Sequence, residues 1–246
     1  MPPIDIKQHL QAFHEVLEGL NTQLCMSNNG FMFFPALKLL EDTANTCVQD
    51  NDSWQYNLRP MRMKLPYKSK TIADDAKNIE IQLEVSNTII IHPENEIKDS
   101  LSRLNFDIRI VSGELRAAWH LDKHSQVGNS DDGTNKYIHP EYHIAFGGEK
   151  MAVNDTGQII LLTSPRLMHP PMDVILGIDF IINQFIPYDY AKIFLTNKMY
   201  KQIVKDMKQL IWRPYFLAIA QHFQNNPKEK LAFDTDFSNK ILGIRE

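Results

Sequence analysis

A repeated two-residue alternation of apolar and polar positions in the middle of the chain constrains the fold more than any other feature. The segments IEIQLEV (79–85), FDIRIV (106–111), LRAAWHLD (115–122) and YHIAF (142–146) all follow this pattern. Since successive side chains of a β-strand point to opposite faces, each segment would bury one face and leave the other polar. Turn residues at 112–114 would join the second and third segments as a hairpin. Together with QIILLT at 158–163, the pattern predicts a mainly antiparallel central sheet over about residues 79–163.

Helical periodicity flanks this sheet on both sides. Before it, apolar residues spaced three and four apart over 4–20 predict an amphipathic helix capped by Asp5, and a second helix is expected over about 35–48. Residues 50–77 are expected to be irregular, because prolines interrupt them and their polar residues show no clean period. After the sheet, we expect a buried apolar helix over 171–186 and a helix from a Thr196 cap to about 211. Pro214 then starts or kinks another helix that runs through 223.

These elements predict an α+β fold in which N-terminal and C-terminal helices flank the central sheet. Neither an internal repeat nor a shift in composition divides the chain, so we expect a single domain over 1–246. Within it, residues 1–50 form the helical N-terminal part, 79–163 the β-meander and 170–225 the helical C-terminal part.

Composition and charge exclude several classes of protein. With 43% hydrophobic residues the chain can bury a core, and its net charge of −4 gives no general affinity for nucleic acids or acidic membranes. Its two cysteines form no disulfide framework, and its N-terminal sequence lacks the apolar core of a signal peptide. The most apolar stretch, VILGIDFII at 174–182, contains Asp179 and is well short of the roughly 20 residues that span a bilayer. We therefore expect a cytoplasmic protein with no membrane partner.

Histidines and carboxylates concentrate in AAWHLDKH (117–124) and YIHPEYHIAFGG (137–148). The apolar residues fall at odd positions in the first segment and at even positions in the second. If the two strands pair antiparallel, burying both apolar sets on one side brings the polar sets together on the other. These polar residues are His120, Asp122, His124, His139, Glu141 and His143. The register that we favour pairs His120 with His143 and His124 with His139, although shifts of two residues preserve the same faces.

This polar patch suggests two kinds of chemistry. Directly opposed residues are about 5 Å apart, so His120 and His143 with one neighbouring carboxylate form a feasible chemical unit. As metal ligands, His120, Asp122 and His143 suit Zn or Mn, with an open position for water. Without a metal, His120, Glu141 and His143 suit general acid–base catalysis near neutral pH. The alternative is a solvated polar face with no chemical role, because these residue types are ordinary on exposed sheet surfaces.

Two further features are candidate substrate-binding groups. Arg166 and His169 lie between a predicted strand and a helix N-terminus, where they suit a phosphate or carboxylate, although this segment also fits a simple connector. Lys201 and Lys205 belong to a lysine-rich face of a predicted helix, and the segment 58–70 contains basic residues and no acidic ones. Both basic regions fit either weak contact with a nucleic-acid backbone or a solvated surface.

Two hypotheses about function follow. The first is a phosphodiester hydrolase, such as a small nuclease, in which the histidine cluster is catalytic or holds a divalent metal and the ligand is a nucleic acid or nucleotide. The second is a non-catalytic interaction or adaptor protein whose polar sheet face and C-terminal helices bind a protein partner. The histidine spacing matches no common motif for a metal site. Bound metal in the purified protein is therefore the observation that best separates the two hypotheses.

Overall fold

The computed structural model describes residues 4–27, 32–65, 79–93, 96–113, 115–123, 141–147, 167–223 and 232–233. Its α-helices are α1 (Ile6–Ser27), α2 (Lys38–Asn45), α3 (Val174–Phe185), α4 (Tyr188–Thr196), α5 (Lys198–Met207) and α6 (Arg213–Phe223). Its strands are β1 (Val48–Asp50), β2 (Ser53–Lys64), β3 (Glu80–Ile90), β4 (Glu96–Ile97), β5 (Leu101–Ser112), β6 (Leu115–Lys123), β7 (Tyr142–Phe146), β8 (Leu167–Met168) and β9 (Ala232–Phe233). Helices before and after the strands confirm the predicted α+β class.

A seven-stranded sheet with the order β1-β2-β3-β5-β6-β7-β8 forms the centre of the molecule. Every neighbouring pair in it is antiparallel, as the alternation predicts. Ile81, Leu83 and Val85 are buried, whereas the polar residues between them are half-buried on the other side. A short parallel pair, β4 with β9, lies apart from this sheet. The predicted strand at 158–163 lies outside the described residues.

The expectation of irregular structure over 50–77 is wrong for β2, which is a long strand. Its buried residues fall at even positions through Leu58 and at odd positions from Met61 onward. A β-bulge between Leu58 and Met61 causes this change of phase, because an extra residue turns the following side chains to the opposite face. Pro60 lies in the bulge, where it need not donate a ladder hydrogen bond. Because the bulge changes the phase of the alternation, the sequence of β2 does not show the single unbroken period that predicts a strand.

Helix α3 covers the apolar face of the sheet, which confirms the predicted packing of an apolar helix there. Gly177 faces the sheet so closely that a Cβ would collide with the Phe106 ring. The helix begins at Val174, after the two prolines, because the Asp173 side chain accepts a hydrogen bond from the Leu176 N–H and caps the N-terminus. We call the sheet face that packs on α3 the inner face and the opposite one the outer face.

The remaining C-terminal helices complete a layer over the inner face. Helix α5 packs against α1 and α3. The predicted Thr196 cap is wrong: Thr196 ends α4, and Asn197, in an extended conformation, caps α5 by accepting from the Tyr200 N–H. None of the helices in the described part of the chain is both long enough and apolar enough to cross a membrane.

The predicted kink at Pro214 appears as a π-helical turn, Lys208–Trp212, directly before α6. Pro214 has no N–H to donate to the Leu210 carbonyl four residues earlier. The Ser100 hydroxyl donates to that carbonyl instead, at 2.7 Å. The proline therefore changes the helical geometry and ties the helix to the start of β5.

Candidate metal centre on the outer face of the sheet

The ladder between β6 and β7 brings the predicted histidines together in a register shifted by two residues. Asp122 pairs with His143, and His120 pairs with Ala145, so the favoured pairing of His120 with His143 is wrong. The predicted separation of faces is nevertheless confirmed, because Leu121 pairs with Ile144 on the inner side. His124 and His139 lie outside the described residues. The shift makes Asp122, rather than His120, the direct neighbour of His143.

Three side chains converge at this point of the outer face. One potential ligand atom from each of His120, Asp122 and His143 lies within 4.8 Å of the others. His143 Nε2 lies 2.9 Å from Asp122 Oδ1. The two imidazole rings are 6.5 Å apart between centroids and nearly perpendicular, at 81°. These three residues could therefore hold one metal ion without a large movement of the backbone.

The cluster is buried at one end and open at the other. His143 is only 1% exposed, so the alternative of a solvated face does not describe this residue. The Asp122 side chain is 42% exposed. Because both strands are paired on each side in the sheet, the ligands are held by a rigid backbone while solvent reaches the carboxylate. This combination suits a site in which a buried ligand fixes an ion and an accessible side admits water or substrate.

Asp107 is a further neighbour of the cluster, and it was not among the site residues predicted from the sequence. It lies on β5 directly opposite His120, and it is buried. Cross-strand neighbours have Cβ atoms about 5 Å apart, and carboxylates commonly orient the histidines of metal sites. The signal was present in the alternation of FDIRIV, which puts Asp107 on the same face as His120. Only the strand pairing shows that the two are adjacent.

Glu141 belongs to a different group of charges. Its Oε1 lies 3.5 Å from Lys123 Nζ, which also contacts Asp99 Oδ2 at 2.6 Å. The Tyr142 hydroxyl donates to Asp99 Oδ1 at 2.6 Å. Burial, reinforced by Asp99, raises the pKa of Tyr142 well above its ordinary value, so this hydroxyl remains a donor. The group joins the end of β6 to the start of β5, and Glu141 is not among the three converging residues.

The candidate substrate-binding residues that the structure describes are not gathered around the cluster. Arg166 lies outside the described residues. The His169 ring contacts the Phe180 ring of α3, on the inner side, and its Nδ1 donates to the Pro170 carbonyl at 2.7 Å. Burial lowers the pKa of His169, which favours the neutral imidazole. His169 is therefore separated from the histidine pair by the sheet.

The described parts of the two basic regions lie on opposite sides of the sheet. Lys201 and Lys205 are exposed on α5, in the helical layer over the inner face. Arg62 and Lys64 are exposed on the outer face, where they pair in the ladder with Gln82 and Glu80. The basic residues of β2 therefore share a face with the histidine cluster, and the α5 lysines do not.

The assignment of this cluster as a metal site depends on its local chemistry and not on similarity to other proteins. No known family model, curated protein or solved structure matches this chain. Two imidazoles and one carboxylate are donors that bind Zn, Mn or Fe, and three protein ligands leave coordination positions for water or substrate. His120, Asp122 and His143 are thus a candidate divalent-metal centre.

Proposed function

We propose that this protein is a metal-dependent hydrolase of phosphodiesters in which His120, Asp122 and His143 bind one divalent cation. The observation that supports the proposal most directly is the convergence of their ligand atoms within 4.8 Å. Protein sites with two histidines, one carboxylate and open positions are typical of catalytic rather than structural metals, because structural zinc sites are usually closed by four protein ligands. When bound, the ion supplies a water of lowered pKa and polarises a phosphoryl oxygen.

The residues of the cluster have different roles in the proposed metal site. His143, buried at the back, keeps a fixed position because the ladder holds its backbone on both sides. Asp122, open to solvent, is the side from which water and substrate approach. To hold the ion, the imidazole nitrogen of His143 that faces Asp122 would need to be unprotonated, because a metal binds its lone pair.

An exposed arginine near the cluster suits an anionic substrate. Arg103, exposed on β5, lies one strand from Asp122. Arg109 is a weaker candidate, because its guanidinium contacts Glu84 at 3.0 Å. A guanidinium presents several donors in a plane and suits phosphate oxygens. This arrangement supports a phosphodiester over a neutral ester or amide.

The proposal is tested by metal content and hydrolysis together. The purified protein is analysed for bound metal, stripped with a chelator, reloaded with Zn²⁺ or Mn²⁺, and assayed on bis(p-nitrophenyl) phosphate and on single-stranded DNA and RNA. Asp122→Asn is the sharper variant, since His143→Ala would also remove a buried side chain. Asp189→Asn, an exposed aspartate on α4, is the matched control. Hydrolysis that needs metal and Asp122 supports the proposal, whereas absence of both metal binding and hydrolysis contradicts it.

A second candidate function, docking of a protein partner, is favoured by apolar side chains near β8. Phe146, Leu167 and Met168 are all exposed, and β8 is the last strand of the described sheet. Exposed apolar groups beside a strand edge suit association with another chain. Light scattering of wild type and Leu167→Lys tests self-association through this edge. A monomer at all concentrations in both proteins would contradict self-association as the role of this surface.

A further inference from the structure

A pocket separate from the histidine cluster opens on the same outer face of the sheet. It has a volume of about 340 Å³ and is lined by Thr46, Val48, Gln55, Tyr56, Asn57, Ser86, Asn87 and Arg103. Pockets that hold small molecules are commonly about 300 to 1,000 Å³. The size therefore fits a small metabolite or one part of a larger substrate.

Strand alternation shows which groups face this pocket. Gln55 pairs with Thr88, and Asn57 pairs with Ser86, so these side chains share the outer face. The adjacent Tyr56 and Asn87 turn inward, where the Asn87 amide donates to the Tyr56 hydroxyl at 3.3 Å. The wall that a ligand would meet therefore consists mainly of the outer-face side chains.

Amides, hydroxyls and one cation dominate the chemistry of this wall. The Ser86 hydroxyl donates to Asn57 Oδ1 at 2.9 Å, which leaves the Asn57 amide nitrogen as a donor for other groups. The lining residues include no carboxylate and no outward-facing aromatic ring. Among the residues that the structure describes, the Arg103 guanidinium makes no ion pair. Several neutral polar groups with a single cation suit a ligand rich in hydroxyl groups that carries one phosphate.

The pocket lies in line with the histidine cluster. In the ladders, Asp122 pairs with Asn105, Asn105 pairs with Ser86, and Ser86 pairs with Asn57. Neighbouring strands are about 4.8 Å apart, so Ser86 lies roughly 10 Å from Asp122 across the same face. Arg103 is two residues along β5 from Asn105, and β5 is the strand of the pocket that lies next to β6. One substrate of modest size could occupy both places.

We infer that this pocket binds a phosphorylated polyhydroxy group, with Arg103 on its phosphate and the Gln55 and Asn57 amides on its hydroxyls. The inference rests on the proposed function in one respect: the group is then the portion of the phosphodiester substrate that extends away from the metal centre. The shared chemistry comes from two sources, a sugar phosphate or a short polyol phosphate. Binding to the pocket itself needs no metal.

Calorimetric titration of the metal-stripped full-length protein tests this inference. The probes are ribose 5-phosphate, glycerol 3-phosphate, inorganic phosphate and unphosphorylated ribose. We expect saturable 1:1 binding of at least one phosphate ester, weakened about tenfold or more by Arg103→Gln, because a hydrogen-bonded charge contributes that much to affinity. Asn57→Leu should weaken the ester as well. Arg62→Gln, an exposed arginine on the same face but outside the pocket, should change the affinity by less than about twofold.

The outcomes separate this inference from the proposed function. Asp122→Asn removes a proposed metal ligand but should leave ester binding unchanged, so a protein without a metal centre would still pass this test. Preference for ribose 5-phosphate identifies a sugar phosphate, and preference for glycerol 3-phosphate a polyol phosphate. The inference is overturned by no saturable binding of either ester, by inorganic phosphate binding as tightly as both esters, or by equal weakening in Arg103→Gln and Arg62→Gln.

Discussion

Two aspartates on opposite sides of the sheet, Asp179 and Asp122, show how different partners give a carboxylate different roles. Asp179 lies on α3, where its Oδ1 accepts from the Tyr200 hydroxyl at 3.0 Å and from the Asn183 amide at 3.1 Å. Its Oδ2 contacts Lys208 Nζ at 3.1 Å. Every one of these partners is a donor. They fasten α3 to α5 and to the turn that follows, and their hydrogen bonds occupy both oxygens of the carboxylate.

Asp122 on the outer face has imidazoles as neighbours instead. A histidine nitrogen donates a hydrogen bond when protonated and binds a metal when it is not. A distance of about 3 Å therefore corresponds at Asp179 to an ion pair with a lysine that cannot bind a metal. At Asp122 a similar distance leads to a histidine that can bind one. Of these two aspartates, Asp179 is the more buried, so burial alone would favour it as the functional residue. The type of partner selects Asp122.

The largest effect that we expect is on metal affinity. Asp122→Asn should weaken binding of Zn²⁺ or Mn²⁺ by more than about 100-fold, because loss of even an outer-shell partner of a metal ligand costs up to that factor. Competition with a chromophoric chelator measures the change. Asp179→Asn is the control that tests the comparison and should bind metal as wild type does. Equal loss in both variants would show that the two sites do not differ in the way proposed.

A second large effect concerns Asp173, another carboxylate surrounded by donors. Burial raises the pKa of Asp173 to about 6 from the ordinary 3.8, although hydrogen bonds from the Leu176 N–H and the Tyr56 hydroxyl oppose the shift. Between these two pKa values, the Asp173 carboxyl group retains in the folded protein a proton that it releases in the unfolded chain. The free energy of unfolding should fall as the pH rises through this window, by about 2–3 kcal/mol in total.

Urea denaturation at pH 4 to 7.5 measures this dependence against a matched variant. Asp173→Asn keeps a good N-cap residue but cannot ionise, so it should lose this part of the pH dependence and gain stability relative to wild type at neutral pH. Other carboxylates titrate in both proteins, and the difference between the two curves isolates Asp173. Parallel curves would contradict the raised pKa.

The sequence predicted the fold well where a single period continues without interruption. Strand β6 was predicted from the alternation over 115–122 and is observed as Leu115–Lys123, because its alternation is unbroken. Strand β2 was missed because the bulge at Pro60 changes the buried parity within one strand. The Thr196 cap was misplaced by one residue, since both Thr196 and Asn197 are residues that can cap a helix.

The sequence predicted which residues of the candidate site share a face of the sheet, but not which of them pair across the two strands. Parity places His120, Asp122 and His143 together in any register that buries Leu121 and Ile144. Shifts of two residues preserve parity, so the sequence could not decide whether His120 or Asp122 stands opposite His143. Asp107 and Arg103 come next to the cluster only through the pairing of β5 with β6 and β3, which depends on packing across the whole sheet.

A smaller effect should distinguish the two aspartates by stability. Asp179→Asn removes the ion pair with Lys208 and leaves one acceptor oxygen in place of two, and should lower the free energy of unfolding by about 1–2 kcal/mol. A fully buried pair would cost more, but the Lys208 side chain is 37% exposed. Asp122→Asn, whose side chain is more exposed, should cost less than about 1 kcal/mol in the metal-free protein. Urea denaturation of both variants at neutral pH measures the difference, and a larger loss for Asp122→Asn would reverse the assignment of structural and chemical roles.

The smallest effect on metal affinity that we expect is at Asp107, the buried neighbour of the cluster. Asp107 is buried directly opposite His120, so Asp107→Asn should weaken metal binding about tenfold through the orientation and basicity of that imidazole, while leaving the three ligands in place. Glu84→Gln is the matched control, because Glu84 pairs with Asp107 one strand farther away and is engaged by Arg109 at 3.0 Å. Chelator competition on both variants measures the effect, and His120→Ala is the reference background. If Asp107 acts through His120, then Asp107→Asn should have little further effect once His120 is removed. Additive losses in the double variant would instead assign Asp107 a separate electrostatic contribution to the centre.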